Sequence, residues 1–205
     1  MNWLQHRIWA DQHALQQTWR AATPFPHLII DDLLSDHDLA TLVEILDEEP
    51  VEFATTDIYA FDATAVVPAT SAFAALREQF GASLAPTLSL LTSTTVQRAD
   101  MRAYAYRPGH YLLPHTDYQP EQQRVLAYAY YLPTPDAPDG GELELYACAL
   151  DSTSSNDALG PARLVQRIEP RPNRCVIFEV RPDSLHQVNE VLSGLRLSLA
   201  GWFYP

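Results

Sequence analysis

From about residue 98 onward the chain is a succession of short β-prone segments, and this limits its fold more than any other feature. Eight candidates lie at 98–106, 110–115, 124–132, 142–147, 163–168, 174–180, 185–191 and 196–203, with Pro, Gly and polar residues between them. Eight short antiparallel strands joined by such turns predict a double-sheet jelly roll. A barrel of this kind has a mouth, and mouths hold ligands.

The front of the chain reads differently. Trp3, Leu4, Ile8, Leu15 and Trp19 recur at roughly helical spacing and predict an amphipathic helix over 2–20. Its apolar face suits packing on the outside of the main sheet; a partner surface is the alternative. Pro24 and Pro26 end it, and 25–32 reads as a strand. Ser35 is placed to cap a second helix running to about Leu46, with Asp38 in its first turn. Pro50 breaks that helix. Residues 51–61 read as one or two strands, and a third helix is expected from Ser71 to Ser83, continuing towards Leu91. The polar stretch 151–159, DSTSSNDAL, reads as a loop inserted between strands. No linker divides the chain. We therefore expect one α+β domain over 1–205, with a mainly β core: 1–97 supplies supporting helices and opening strands, and 98–205 the jelly roll and its site.

Charge narrows the function classes. With 13 basic and 26 acidic residues the net charge is −13, the wrong sign for a binder of nucleic-acid backbone. Solubility explains the acidity; a basic substrate is the sharper reading. Cys148 and Cys175 form no disulfide framework and no paired metal spacing. The N-terminus lacks the apolar core of a signal peptide, and no apolar run is long enough to span a membrane. The expected location is cytoplasmic.

The chemistry centres on Tyr106–Asp117, YRPGHYLLPHTD. Strand side chains alternate, so His115 and Asp117 point the same way and offer one imidazole nitrogen and one carboxylate oxygen. His186 would complete a two-His, one-carboxylate facial triad, which holds Fe(II) on one face and leaves the other open. Arg196 follows His186 by ten residues across a Ser193-Gly194 turn signal. A hairpin there would put Arg196 on the next strand, near the metal, where its planar fork suits a dicarboxylate. Ser198 and Trp202 are in phase with Arg196. Tyr131 shares a face with Ala127 and Ala129, whereas Tyr128 and Tyr130 point the other way and suit core packing. His110 is out of phase with His115 and reads as a rim or packing residue. His6, His13, His27 and His37 have no partners at ligand spacing.

In order and spacing these segments resemble the Fe(II)/2-oxoglutarate-dependent dioxygenases, in their prolyl 4-hydroxylase-like branch. The matching residues are Tyr106-x-Pro-Gly, His115-Thr-Asp117, 124–132, Gly140-Gly-Glu-Leu143, 173–178, Leu185-His186-Gln-Val188 and Arg196-x-Ser-x-x-Gly-Trp-Phe203. Residues 25–32 match the branch more loosely. The resemblance implies a double-stranded β-helix, the cupin-like form of the jelly roll, buttressed by helices. It implies Fe(II), 2-oxoglutarate and O2 as cofactor and co-substrates, with ascorbate as a reductant. Carried across, His115, Asp117 and His186 are metal ligands. Arg196 and Tyr131 meet the far carboxylate of 2-oxoglutarate, Tyr106 lines that pocket, and Ser198 adds a hydroxyl. Arg124 and Trp202 lie on the substrate side.

The carboxylate of Asp117 disfavours the halogenase relatives, which lack it. Arg196, where collagen-type animal relatives often carry Lys, places the chain nearer the oxygen-sensing and ribosomal-protein-hydroxylase relatives. Some of the latter carry a second barrel; here the sequence stops directly after the last strand, so none is expected. The implied substrate is a prolyl residue in a protein or peptide, with a free amino acid or other small metabolite as the alternative. Segments 51–61, which the resemblance implies is a mobile flap and which reads equally as an ordinary edge hairpin, 118–124 and 148–162 would decide between them. A silent metal- or carboxylate-binding barrel and a cupin-like dioxygenase without 2-oxoglutarate remain as other classes.

Overall fold

The computed structural model describes residues 1–149 and 159–205. Helix α1 (Gln12–Ala21) follows a 3-10 turn at Arg7–Ala10. The single helix expected over 2–20 is broken between them, because the Asp11 carboxylate accepts from the Ala14 N–H at 2.9 Å and starts a new helix there. Trp3, Leu15 and Trp19 are buried, but the apolar phase does not run through the break, and Leu4 is exposed. Strand β1 (His27–Ile30) leads to helix α2 (Asp36–Asp47), capped by Ser35, whose hydroxyl accepts from the Asp38 N–H at 3.2 Å. Strands β2 (Val51–Thr55) and β3 (Tyr59–Thr64) form a hairpin. Helix α3 (Ser71–Thr92) runs unbroken through Ser83 and the expected continuation to Leu91, with Pro86 inside it. Pro86 removes the bond to the Ala82 carbonyl, and both residues lie on the exposed side of the helix, where losing that bond costs least.

The β-rich part contains β4 (Arg98–Ala99), β5 (Arg102–Tyr106), β6 (Tyr111–His115), β7 (Leu126–Tyr131), β8 (Asp139–Gly140), β9 (Leu143–Ala147), β10 (Arg163–Ile168), β11 (Cys175–Glu179), β12 (His186–Val188), β13 (Val191–Ser193) and β14 (Arg196–Tyr204). All eight expected segments are present. The first is split at Asp100-Met101, and β8 and β13 add a small separate ladder. All but the last residue of the expected 151–159 loop lies outside the described residues.

The main sheet is antiparallel throughout, in the order β1-β11-β7-β14-β5-β3-β6-β12-β9-β10. Strand β3 curls it, pairing with β5 through Asp62–Ala105 and with β6 through Ala60–Tyr111. The strands from β1 to β5 make a major wall and those from β6 to β10 a minor wall. This is the double-stranded β-helix with helical support that the sequence implied. One detail differs. Strand β12 pairs with β6 and β9, and β14 with β5 and β7. His186 and Arg196 therefore sit on opposite walls rather than on one hairpin, because the connection through Gly194 crosses from the minor to the major wall.

The helices fix the major wall. Phe73, Leu76, Phe80, Leu84, Leu88 and Leu91 form one buried stripe of α3. They pack with Leu126, Tyr128 and Tyr130 of β7 and with Leu199 and Phe203 of β14. Each such side chain stabilises the fold by about 1.5–3 kcal/mol on full burial. Alternation then turns Ala127, Ala129 and Tyr131 towards the barrel interior, as expected.

Candidate active site

His115 ends β6, His186 begins β12, and the two are direct antiparallel partners. Their ring centroids are 4.2 Å apart. Asp117 lies two residues beyond the end of β6. Its Oδ1 is 3.8 Å from His115 Nε2 and its Oδ2 is 3.5 Å from His186 Nε2. One ligand atom from each residue fits within 4.8 Å of the other two. Each imidazole is oriented by the backbone: His115 Nδ1 donates to the Leu113 carbonyl and His186 Nδ1 to the Ser184 carbonyl, both at 2.9 Å. A carbonyl only accepts, so Nδ1 holds the proton and the Nε2 lone pair faces Asp117. Burial pushes the His186 pKa down, the neighbouring His115 adds to this, and Asp117 opposes it. The neutral, metal-ready form is thus favoured. Two imidazoles and one carboxylate on one face, with the other face open, form the facial triad suited to Fe(II).

A second polar site lies on the major wall. Arg196 starts β14 opposite Tyr106, and Ser198 stands opposite Tyr131. Arg196 is 3% exposed. Its guanidinium carbon is 4.7 Å from the Tyr106 ring and 5.0 Å from the Tyr131 ring, and Nη1 donates to Ser198 Oγ at 3.2 Å. No carboxylate pairs with Arg196 among the described residues. Arg196 Nε and the Tyr131 hydroxyl are buried without partners. Burial raises the pKa of both tyrosines, the nearby guanidinium lowering it in part, so both phenols keep their protons. A buried cation with idle donors beside it fits a ligand carboxylate. Gly141 makes room for it: φ is +71°, and a Cβ there would come within 2.9 Å of Arg196 Cδ and Val191 Cγ2.

Both sites open into one cavity of about 350 Å³. Tyr59, Phe61 and Tyr104 line one side, with Tyr59 and Phe61 stacked at 4.6 Å. Trp202 lines the mouth, and the Arg124 guanidinium lies 3.6 Å over its ring. Arg124 Nη1 also donates to the Asp117 carbonyl at 3.3 Å, tying the mouth to a triad residue. Ile58, at the tip of the β2–β3 hairpin, reaches the cavity. His110 stays outside and packs on Phe53 at 5.3 Å. Of the 148–162 segment, 150–158 lies outside the described residues. Phe178, at the end of the family-matching segment 173–178, sits edge-on to His186 at 4.7 Å, a site contact that the motif does not mark, and Tyr104 lies in none of the matching segments. Alternation allows either residue to face inward, but only cross-strand register shows what it meets.

The model of the 2OG-Fe(II) oxygenase superfamily matches residues 101–204. The chain belongs to that superfamily. Fe(II) and 2-oxoglutarate are accordingly its cofactor and co-substrate, and the triad and the Arg196 pocket fit them. The Xenopus laevis protein named prolyl 3-hydroxylase OGFOD1 is 32% identical over 189 residues, 89% of this chain and 35% of the relative. Its Mus musculus namesake is 39% identical over 107 residues, 51% of this chain and 18% of the relative. The chain thus spans about a third or less of these curated relatives. Among solved structures, a Pseudomonas putida prolyl-4-hydroxylase superposes with TM-score 0.65 at 19% identity, covering 93% of this chain and 98% of that one. A Trichoplax adhaerens prolyl hydroxylase, solved with a hypoxia inducible factor peptide, superposes with TM-score 0.71 at 14% identity, covering 100% and 93%. At such identities the likeness shows the fold. No helix among the described residues is long and apolar enough to cross a membrane.

Proposed function

We propose that this oxygenase hydroxylates an unactivated C–H bond of a prolyl residue carried in a protein or peptide. In this reading His115, Asp117 and His186 hold iron, and Arg196, Tyr131 and Ser198 hold the far carboxylate of 2-oxoglutarate, with Tyr106 as the wall of that pocket. Once bound, the two would activate O2, one oxygen atom entering the substrate as the hydroxyl and the other entering succinate as 2-oxoglutarate loses carbon dioxide. The chain's own residues then bind, orient and exclude water. Arg124 and Trp202 form the substrate side of the mouth, and the Tyr59–Phe61 stack offers an apolar face to a pyrrolidine ring. The observation that carries the co-substrate assignment is the buried, unpaired guanidinium of Arg196, in the same cavity as the triad. A silent barrel has no use for both. The prolyl assignment rests on the curated relatives named prolyl 3-hydroxylase and on the solved prolyl hydroxylases of like fold. We place the activity in the cytoplasm, where the free thiols of Cys148 and Cys175 stay reduced.

The test begins with anaerobic titration of Fe(II) and 2-oxoglutarate, followed by the weak visible charge-transfer band of their complex. The band is expected to need both additions and to be absent in His186→Ala. Aerobic succinate formation is then compared across proline-containing peptides, free proline and other free amino acids. Stimulation by peptides supports the proposal. Stimulation by a free amino acid alone would replace peptide with metabolite, and a missing band in folded wild type would remove the iron/2-oxoglutarate reading itself.

A further inference from the structure

We infer that Glu144, on the face of the minor wall turned away from the triad, is a positioning residue for the metal site that acts on His186 through β12. The inference rests on the metal-site reading above. Glu144 is 3% exposed and takes no part in the cavity. Strand β12 has three residues and carries His186 inward and Gln187 outward. On the β6 side its ladder is irregular: His186 pairs with His115 but Val188 pairs with Leu112, so β6 advances three residues while β12 advances two. That ladder alone fixes the pitch of β12 poorly. On the β9 side the register is even, with His186 against Leu145, Gln187 against Glu144 and Val188 against Leu143.

The Glu144 carboxylate completes this side. Its Oε2 accepts from Gln187 Nε2 at 2.7 Å and its Oε1 from Asn189 Nδ2 at 2.9 Å. These donors stand directly after His186 and directly after β12, so one carboxylate grips both ends of the exposed part of the strand. Gln187 and Asn189 also bond each other at 2.7 Å. Arg167 of β10 closes the cluster with Nε at 2.8 Å and Nη2 at 2.6 Å from Oε1, and the Tyr146 hydroxyl donates to Oε2. Five donor groups converge on two oxygens, an arrangement only an ionised carboxylate satisfies. In Glu144→Gln one acceptor becomes a donor facing other donors. The grip on Gln187 and Asn189 then loosens, and His186 loses its fixed distance to Asp117.

The test uses Co(II), whose visible bands report its ligand geometry, titrated anaerobically into wild type, Glu144→Gln, Gln187→Leu and Asp31→Asn apoproteins. Asp31→Asn is the stability control, since it breaks the pairing with Arg171 and Arg174 and touches neither β9 nor β12. Glu144→Gln is expected to weaken Co(II) binding about tenfold or more and to shift the bands, in line with outer-shell changes at other metal sites. Gln187→Leu should act in the same direction, and it carries the test if Glu144→Gln fails to fold. Asp31→Asn should lower Tm and leave Co(II) affinity and bands unchanged. Unaltered affinity and bands in both cluster variants would overturn the inference, as would an equal loss in Asp31→Asn. Wild type that binds no Co(II) would overturn the metal-site reading first, and that outcome is visible before any variant is made.

Discussion

Replacing Arg196 with Met removes the charge while keeping an unbranched stem, and the structure gives opposite signs for its effect with and without ligand. Without co-substrate the guanidinium is buried and unpaired, held by one hydrogen bond to Ser198 and by the Tyr106 and Tyr131 rings. The hydrogen bond contributes about 1 kcal/mol and each ring about 1 kcal/mol. Against these stands an effective cost of several kcal/mol for a buried ion without a partner. Ligand-free Arg196→Met is therefore expected to be more stable than wild type by about 1 kcal/mol, or about 2–4 °C in Tm for a chain of this size. With co-substrate the sign reverses. Truncating one partner of a buried charge pair costs about 2–5 kcal/mol, which weakens 2-oxoglutarate binding at least about 30-fold at 1.4 kcal/mol per decade. The assay is thermal unfolding with Mn(II) in place of iron, so that no turnover intervenes. Wild type at about 100 times its Kd for 2-oxoglutarate gains about 2.7 kcal/mol, and the variant gains about 0.9 kcal/mol or less at the same concentration. A ligand-free variant that melts lower than wild type and still shows the full 2-oxoglutarate shift would refute the reasoning on both counts.

Two further predictions concern other parts of the chain. Gly141→Ala should push the Arg196 stem aside, since the new Cβ falls within 2.9 Å of Arg196 Cδ; calorimetry should show weaker 2-oxoglutarate binding with Co(II) affinity retained, and unchanged 2-oxoglutarate affinity would count against the contact. Glu49 is 7% exposed, and its carboxylate accepts from the Thr70 N–H and hydroxyl and from the Ala69 N–H at the start of α3. Burial raises its pKa, but these donors outweigh burial and bring it below the ordinary value of 4.5. Its stabilisation is therefore complete above about pH 4.5 and is lost as the pH falls towards the lowered folded value. Glu49→Gln should be less stable than wild type by about 1–2 kcal/mol at neutral pH, and the gap measured by urea unfolding should narrow as the pH falls below about 4.5; a gap that does not narrow in acid would show that the charge is not what matters.

Local pattern was enough for much of this protein. Alternation along a strand sets Tyr131 apart from Tyr128 and Tyr130, and puts Ser198 and Trp202 in phase with Arg196. Turn residues mark eight strand segments, and Ser35 marks the start of α2. These features depend on a few consecutive residues, so the sequence carries them whole. It also carried the His115–Asp117 pair, two residues apart. The remainder depends on register between strands distant in the chain. Facing His115 with His186 takes the β6–β12 ladder, and putting Arg196 on the opposite wall takes a crossing that resembles a hairpin turn when read locally. Glu144 reads as an ordinary outward strand residue until β10 and β12 bring Arg167, Gln187 and Asn189 to it. The idle donors of Arg196 and Tyr131 are likewise a property of what the fold leaves beside them. Sequence thus determined which side chains could do this chemistry, because residue type and strand phase are local. Tertiary structure decided which of them meet, because distance and burial are set by the whole sheet.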